Sequence, residues 1–494
     1  MTELSENDPA VDSPAAGTGV TISKLVLPLL LLAEFMIQID GTIVNVALPS
    51  IKSDLGFSDG SLAWVVNGYV LSYGSLLLLG GRAADVLGRR RLLMFGLSVF
   101  TVASAVSAVA GDSGLLVAAR IVQGAGAAAV APAVLSLIIT MFPEGKQRTS
   151  AMAAWGGAAA AGSVFGSLIG GALTSGPGWR WVFIINVPIG LAILVCAPRV
   201  MAVGRSRNRS KLDPVGTAAI TLALFAMVYA VIGTETNGWQ STRTIALLVA
   251  AAVLLVLFVF VERSYDDPIL PGSLLGKRNT SGSIATTVLF GATQLSCFFF
   301  VTLYLQQVLG YSAIATGFAY LPIMVGFGAS SGIASSLIAS RGVTASLTPG
   351  LILIAGGMYW LSTVPVGGNF WADILGPTLL TGLGLGMTYV PLSMAVTADV
   401  DVEHTGVASA MFTSSNMIGG ALGLAVLSSI ASGRTRAVQV GGGSLAHALV
   451  TGFHRAFFLG GCLALVALLV ALAVIRVAKP KPAPAQPATP DLAG

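Results

Sequence analysis

Long apolar stretches recur along almost the whole of this chain. About 20 apolar residues in a helix cross the roughly 30 Å of hydrocarbon in a bilayer, and a helix satisfies its own backbone polar groups inside lipid. The sequence therefore predicts an all-α integral membrane protein with fourteen transmembrane helices. The stretches lie near residues 25–48, 62–80, 92–111, 113–139, 149–173, 179–198, 214–233, 243–261, 280–305, 313–338, 344–363, 370–398, 405–431 and 454–476.

The composition agrees with this class of protein. Of the 494 residues, 55% are hydrophobic and 10% are charged, against roughly 25% charged residues in soluble domains. The 26 lysines and arginines fall in short clusters between the apolar stretches, so we expect no nucleic-acid partner. The three cysteines and three histidines are far apart in the sequence, and we predict no disulfide, metal site or other cofactor.

The positive charges also predict the orientation in the membrane. If the N-terminus is cytoplasmic, 19 of the 26 basic residues lie inside and six outside, as the positive-inside rule requires. Both termini are then cytoplasmic, and the acidic start of the chain lacks the features of a signal peptide. The predicted organisation is a disordered tail (1–23), a six-helix bundle (24–199), a basic linker with two accessory helices (200–279), a second six-helix bundle (280–477) and a disordered tail (478–494).

The connection between the second and third helices carries the segment GGRAADVLGRRR (80–91). Its glycines permit a tight turn, and for the arginines alone a plain basic inside loop is the simpler interpretation. The segment resembles the signature loop of the major facilitator superfamily, in which an aspartate makes a charge contact that latches the cytoplasmic side in one state. The residues that would form this latch are Gly81, Asp85, Gly88, Arg89 and Arg90.

An arginine is predicted deep inside the fourth helix, where a charge costs at least a few kcal/mol. This residue, Arg120, begins the segment RIVQGAGAA (120–128). One interpretation is a side chain that snorkels to the outer surface, but Arg120 lies about 10 Å below the outer end of its helix. The segment resembles the second motif of the same superfamily, and this resemblance implies a role for Arg120 in proton transfer.

Only two of the 21 acidic residues, Glu34 and Asp40, are predicted deep inside apolar stretches, and both lie in the first helix. At 100° per residue Glu34, Gln38 and Asn45 share one face, and Asp40 is turned about 120° from it. Desolvation disfavours the charged form of a carboxyl group, so reversible protonation near neutral pH is expected. The alternatives are a permanent ion pair of Asp40 with Arg120, and hydrogen bonds from Glu34 to neighbouring helices.

Asp40 and Arg120 are predicted to face each other. Counted from outer helix ends at residues 48 and 113, they lie eight and seven residues deep, or on the order of 10–12 Å. The first and fourth helices are neighbours in the fold that the resemblance implies. We therefore expect Arg120 to stabilise the Asp40 carboxylate until a proton arrives, with Glu34 as the alternative proton carrier.

The fifth helix has a pattern of small residues suited to close helix packing, within AGSVFGSLIGG (161–171). On spacing alone it is a packing motif, but it also resembles the motif typical of drug/proton antiporters. Together with IDGTIVNVALP (39–49) and the order of the motifs, it makes the chain resemble the fourteen-helix drug/proton antiporter family from about residue 25 to 476. The glycines of the motif are Gly162, Gly166, Gly170 and Gly171.

The predicted function is proton-coupled antiport that exports small hydrophobic or cationic compounds by alternating access. The resemblance implies a proton gradient as the energy source, and protons, a small-molecule substrate and the lipid bilayer as the partners. Several polar and aromatic residues are candidates for the substrate cavity, although packing or a place in the interface belt is the simpler interpretation for most. They are Gln38, Asn45, Asn67, Tyr69, Phe298 and Tyr389.

Two other functions stay open at this point. One is export of a self-made metabolite or siderophore by the same mechanism. The other is a membrane-embedded enzyme for lipid-linked substrates, which would need clustered acids or a His/Ser constellation, whereas the predicted outer loop 432–453 has no acidic residue. We favour a transporter over an enzyme. The excess of arginine over lysine, 19 to 7, with abundant Ala and Gly indicates a GC-rich bacterial gene and hence the inner membrane.

Overall fold

The computed structural model describes residues 24–58, 61–142, 146–200, 213–264, 276–398, 400 and 405–476. These residues form long helices, and no strand occurs among them. Twelve of the helices are long and apolar enough to cross a membrane. The helices are α1 Val26–Leu55, α2 Ala63–Leu87, α3 Arg89–Ala108, α4 Ser113–Met141, α5 Lys146–Ser175, α6 Trp181–Val200, α7 Pro214–Asn237, α8 Thr242–Ser264, α9 Arg278–Leu303 with a π-helical end Tyr304–Val308, α10 Ala313–Ala319 and Leu321–Arg341, α11 Val343–Leu361, α12 Leu375–Thr397 after a π-helical start Phe370–Ile374, α13 Thr405–Val440 and α14 Leu445–Val474.

Local signals in the sequence define several helix ends. The Asp112 carboxylate accepts a hydrogen bond from the N–H of Leu115 at 2.9 Å and begins α4, and Ser444 caps α14 by accepting from the N–H of His447. Such side chains satisfy N–H groups that the first turn of a helix leaves unpaired. Gly56, with φ of 68°, ends α1 in the left-handed conformation that glycine adopts without strain.

The turn between α2 and α3 is shorter than the sequence predicts. Residues 80–87 continue α2, so Gly80 and Gly81 are helical, and the prediction that they form a tight turn is wrong. A Cβ atom on Gly80 would collide with the carbonyl of Ala128, which shows that close packing against α4 requires this glycine. Only Gly88, with φ of 91°, has a turn conformation.

Besides α2, helices α1, α13 and α14 extend beyond the apolar stretches that predicted them, and α14 begins at Leu445 rather than near 454. Helix α1 ends at Leu55 rather than near residue 48, and α13 ends at Val440 rather than near 431. The predicted outer loop 432–453 is therefore wrong, because α13 and α14 are joined by only a few residues around Gly442. Hydropathy marks the edge of the hydrocarbon, whereas a helix of polar residues continues into water until glycines end it.

The first six and the last six helices form two packed groups. In the first group α5 lies against α1, and both α2 and α3 lie against α4; in the second, α12 lies against α10 and α11, and α9 against α13 and α14. The two groups meet where α2 packs on α13 and where α5 packs on the start of α10. Helix α7 packs against α2, α13 and α8, so the pair α7 and α8 lies beside the junction of the two groups.

Two hydrogen bonds join the helix groups towards one side of the membrane. We call the membrane face where α1 begins the near face and the opposite one the far face. Towards the far face Gln306 Nε2 donates to the Val46 carbonyl at 2.8 Å, and the N–H of Ile314 donates to Ser175 Oγ at 3.0 Å. The two helix groups are thus tied together at the far face. In the near half of α5, residues 156 and 157 are exposed glycines.

The glycine motif of α5 packs against two partners. A Cβ atom on Gly162 would lie 2.7 Å from the Cβ of Gln38, and one on Gly170 would lie 2.6 Å from the Ile43 carbonyl oxygen, so these glycines seat α5 on α1. Gly166 packs on the same helix. Gly171 instead packs on Ala313 in α10, where its Cβ would lie 2.7 Å from the carbonyl oxygen. These glycines therefore lie in close helix contacts, and one end of the motif joins the two helix groups.

Gly170→Ala is expected to destabilise the protein by roughly 1–3 kcal/mol, because the added methyl group overpacks the contact with Ile43. The matched control is Gly157→Ala on the same helix, which adds a methyl group in open space and raises helix propensity. Thermal unfolding of both purified variants against the unmodified protein provides the measurement. Equal melting temperatures for the two variants would contradict tight packing of α5 on α1.

Candidate functional site

The structure brings the two predicted charged residues into direct contact. Asp40 on α1 is fully buried and Arg120 on α4 is 1% exposed. Arg120 Nη1 donates to Asp40 Oδ2 at 2.6 Å, within the range of a charge-assisted hydrogen bond. The predicted juxtaposition of these side chains is therefore observed, and Arg120 does not snorkel to the surface.

The second oxygen of Asp40 is held by two amides. Oδ1 accepts from Gln123 Nε2 at 2.7 Å and from Asn186 Nδ2 at 2.8 Å. Gln123 lies one turn along α4 from Arg120, and Asn186 lies on α6. Three donors therefore occupy both oxygens of the Asp40 carboxylate in this conformation.

Arg120 is held from several directions as well. Its Nε donates to the carbonyl of Val65 on α2 at 3.1 Å, and Nη1 also donates to Gln123 Oε1 at 2.7 Å. The guanidinium lies 4.2 Å from the centre of the Tyr69 ring and 5.7 Å from that of Phe183, distances typical of cation–π contacts. Side chains or backbone groups of α1, α2, α4 and α6 thus form or contact the ion pair.

Helix α3 also contacts the site through Gln123, whose Nε2 donates to Ser104 Oγ on α3 at 2.8 Å. Neither Ser104 nor Asn186 is singled out by sequence reasoning. For Asn186 a signal exists, since an isolated amide inside an apolar helix needs a buried partner. Serine is common in packed membrane helices, so Ser104 had no distinguishing signal.

The predicted depths of Asp40 and Arg120 below the outer ends of their helices are partly wrong. Arg120 lies seven residues after Ser113, as expected, but Asp40 lies fifteen residues before the actual end of α1 at Leu55, about 22 Å along the helix. The two side chains nevertheless meet, because α1 extends further at the far face than the start of α4. Near the far end of α1 the exposed side chain of Asp54 accepts from Arg180 Nη1 at 2.7 Å.

Glu34 has a different environment from Asp40. It is 2% exposed, and its Oε1 accepts from Gln38 Nε2 at 2.8 Å, whereas Oε2 has no hydrogen-bond partner. No ion pair is formed by Glu34 with any residue that the structure describes. The indole of Trp155 on α5 lies next to its carboxyl group.

The other candidate cavity residues are divided between several places. Asn67 is fully buried with neither amide atom paired, and Asn45 Oδ1 is also buried without a partner. Tyr69 lies against Arg120 rather than in a separate cavity. Phe298 packs on Tyr320, with ring centres 5.4 Å apart. Gln38 donates to Glu34, and the ring centre of Tyr389 lies 5.0 Å from that of Phe412.

The predicted latch is only partly described. Gly81 lies in α2, and Gly88 forms the turn before Arg89 and Arg90 begin α3. Arg90 Nη2 donates to the carbonyl of Pro198 at 3.1 Å and so links α3 to the near end of α6. The side chain of Asp85 lies outside the described residues, so its charge contact stays a prediction.

Comparisons with known proteins agree on the class of this chain. Residues 30–424 match the family model of the Major Facilitator Superfamily. The puromycin resistance protein pur8 of Streptomyces alboniger is 38% identical over 432 residues, which cover 86% of this chain and 85% of the relative. The uncharacterized MFS-type transporter EfpA of Mycobacterium tuberculosis is 37% identical over 410 residues, covering 81% and 76%. The cephamycin export protein CmcT of Amycolatopsis lactamdurans is 36% identical over 409 residues, covering 82% and 84%.

Solved structures share the fold at low identity. An auto-inhibited POT family peptide transporter superposes with a TM-score of 0.68 at 16% identity, over 93% of this chain and 99% of the other. A bacterial homolog of the human lysosomal transporter Spinster, solved in an inward-facing conformation, gives 0.62 at 17% identity, over 91% and 96%.

This chain belongs to the Major Facilitator Superfamily. It is a membrane transporter rather than an enzyme, and it is a multi-pass membrane protein, which in bacteria lies in the inner membrane.

The buried ion pair predicts a specific pattern of mutational effects. Asp40→Asn and Arg120→Gln should each destabilise the protein by about 3–5 kcal/mol, because each leaves a charge buried without its partner. The double variant should be more stable than the sum of the single losses predicts, because no unpaired charge remains. Thermal unfolding of the four proteins measures this coupling.

The exposed pair of Asp54 and Arg180 is the control, with side chains 46% and 42% exposed. The same neutral substitutions there should change stability little, since water screens the two charges. Additive losses at Asp40 and Arg120 would show that the two charges do not depend on each other.

Proposed function

We propose that this protein exports small apolar or cationic compounds from the cytoplasm in exchange for protons. The observation that carries the proposal is the ion pair of Asp40 and Arg120, fully hydrogen-bonded inside the first six helices. A charge costs free energy inside a membrane protein and is retained there mainly for function, with proton relays among the frequent uses. The relatives named for resistance and export supply the substrate class.

The same relatives support a second candidate. Since one of them is named for cephamycin export, the physiological cargo of this chain can be a metabolite made by its own cell. The mechanism would be identical, and only the substrate would differ.

We propose that fourteen helices cross the membrane with both termini in the cytoplasm. Beyond the twelve apolar candidates, α2 has 25 residues and α5 has 30, or about 37 and 45 Å of helix, which is enough to span a bilayer. The distribution of Lys and Arg then makes the near face cytoplasmic. The conformation tied together at the far face is, on this assignment, inward-facing.

Proton coupling is proposed to work through the charge of Asp40. In the inward-facing state three donors contact the Asp40 carboxylate, and Arg120 is one of them. When the far face opens, a proton that reaches Asp40 removes the charge that holds Arg120. The guanidinium is then free to rearrange its contacts with α2 and α6, which couples protonation to helix movement. Glu34, the other buried acid of α1, is the alternative carrier.

The latch is proposed to act at the near face. The junction of α2 and α3 contains Arg89 and Arg90, together with Asp85 and the glycines at 81 and 88. This junction would move if the two helix groups rock against each other. A charge contact of Asp85 would stabilise one end state of that motion. The energy source is proposed to be the proton gradient, with no cofactor.

Asp40→Asn is expected to abolish uphill export driven by a proton gradient and to permit some downhill exchange, because the cycle loses its titrating group. Substrate flux and proton movement should be recorded together in reconstituted vesicles. Asp54→Asn, on the exposed end of the same helix, is the control and should transport normally. Full proton-coupled export by Asp40→Asn would remove Asp40 from the mechanism.

A C-terminal fluorescent fusion should be bright in intact bacterial cells, because the proposed topology places this terminus in the cytoplasm. A cysteine at Ser58, which lies in the loop between α1 and α2, should react with a membrane-impermeant maleimide from outside. A dark C-terminal fusion together with an unlabelled Ser58→Cys would reverse the proposed orientation.

A further inference from the structure

We propose that a cavity beside the accessory helices α7 and α8 binds the phosphodiester group of an anionic phospholipid. The cavity lies at the far face, between the loop that joins α1 to α2 and the turn that joins α7 to α8. None of the residues that hold the ion pair of Asp40 and Arg120 lines it. The inference is independent of the proposed export function and concerns a lipid contact of the transporter.

The size of the cavity limits what it can hold. Its volume is about 240 Å³, whereas pockets for drug-sized ligands measure roughly 300–1,000 Å³. A small polar head group therefore fits better than the cargo of a drug exporter. The polar and aromatic residues of the lining on which the argument depends are Ser58, Ser61, Trp64, Tyr229, Asn237 and Arg243.

Aromatic rings form the wall between α2 and α7. The Trp64 ring stacks on Phe225, with ring centres 6.4 Å apart and an angle of 11° between the planes, and its centre lies 6.0 Å from that of Tyr229. Trp and Tyr are common where a membrane meets water, because each has an apolar body and one polar group. The wall therefore places the cavity at the depth of lipid head groups.

The positive charge of the cavity belongs to Arg243. Its Nη2 donates to the Tyr229 hydroxyl at 2.6 Å, and the guanidinium lies 5.3 Å from the centre of that ring. A guanidinium has five N–H donors, and no carboxylate pairs with Arg243 among the residues that the structure describes. Arg243 therefore has both a charge and several donors left for an anionic ligand.

Two neutral donors lie beside this charge. The Tyr229 hydroxyl accepts the bond from Arg243, so its own proton is left for another acceptor. Asn237 Nδ2 donates to the Gly233 carbonyl at 3.1 Å and keeps a second N–H. A phosphodiester has one negative charge and several acceptor oxygens, and Arg binds such groups through its planar fork. It therefore matches both the charge and the donors of the cavity.

The two serines of the lining have the opposite capacity. Ser58 Oγ donates to Ser61 Oγ at 2.8 Å, and Ser61 Oγ donates to the Ser58 carbonyl at 3.3 Å, so both hydroxyl protons are used inside the loop. Their oxygens still have lone pairs that can accept. The glycerol hydroxyls of phosphatidylglycerol are suitable donors for them. The ammonium group of phosphatidylethanolamine would need an acidic partner, and the cavity lining contains no acidic residue among those described.

A lipid-facing stripe on α7 leads away from the cavity. Tyr229, Leu222 and Val215 are seven residues apart, so they lie on one face of the helix, and they are 45%, 56% and 55% exposed. The stripe is about 21 Å long at 1.5 Å per residue, which exceeds the roughly 15 Å of one leaflet. The acyl chains of a lipid whose phosphate contacts Arg243 can therefore pack along α7. This surface favours a membrane lipid over a free phosphate.

An occupied cavity would strengthen the attachment of α8. This helix packs chiefly on α7, whereas the cavity is lined by residues of α2, α7 and α8. A phosphate that contacts Arg243 on α8 and lies beside Trp64 on α2 would connect the accessory pair to the first helix group. Phosphatidylglycerol is therefore expected to raise the melting temperature of the protein.

The test is binding of phosphatidylglycerol to the purified full-length protein in detergent, with its melting temperature recorded in parallel. Arg243→Gln keeps an amide donor and removes the charge, and it should weaken binding by about tenfold or more, which corresponds to 1.4 kcal/mol. Arg243→Lys keeps the charge without the fork and should bind with intermediate affinity. Arg180→Gln, the control, removes another exposed arginine and should bind like the unmodified protein.

Three further ligands identify the source of the phosphate. Phosphatidylethanolamine should bind more weakly than phosphatidylglycerol, and diacylglycerol, which lacks the phosphate, should not distinguish Arg243→Gln from the unmodified protein. Glycerol 3-phosphate, which lacks the acyl chains, should bind far more weakly than the lipid. Equal binding of glycerol 3-phosphate and phosphatidylglycerol would overturn the lipid assignment. Equal affinity of the Arg243→Gln and unmodified proteins for phosphatidylglycerol, or an equal loss in Arg180→Gln, would overturn the site.

Discussion

The interaction on which the first six helices depend is the ion pair between Asp40 and Arg120. A charge inside a membrane is tolerated only when it is compensated, and here each partner compensates the other at 2.6 Å. The remaining hydrogen-bonding groups of the pair are satisfied by Gln123, Asn186 and Val65, which lie on three different helices. The relative positions of four helices, α1, α2, α4 and α6, are therefore tied to one buried ion pair.

The two helix groups differ in what they contribute. The first group contains both deeply buried acids, Glu34 and Asp40, and the arginine that pairs with one of them. The second group contributes an aromatic surface centred on Tyr389.

Helix α5 links the rigid and the movable parts of this arrangement. Gly170 lets it approach the backbone of α1, whereas the adjacent Gly171 lets it approach α10 in the other group. The first contact is within a group and the second joins the two groups at the far face. Small residues permit this because membrane helices gain stability from close packing rather than from exclusion of water. The alternating access proposed above would separate the second contact and keep the first.

The sequence by itself determined that the chain is helical and membrane-spanning, because apolar length and the cost of an unpaired backbone in lipid leave no other choice. It also determined that Arg120 needs an acidic partner, and Asp40 was one of only two acids deep enough to serve. The tertiary structure decided what no local pattern carries: that Asn186 completes the pair, that Glu34 keeps a free oxygen, and that α13 continues to Val440. The reason is physical, since these features depend on helix crossings and on polar helix ends in water, to which hydropathy does not respond.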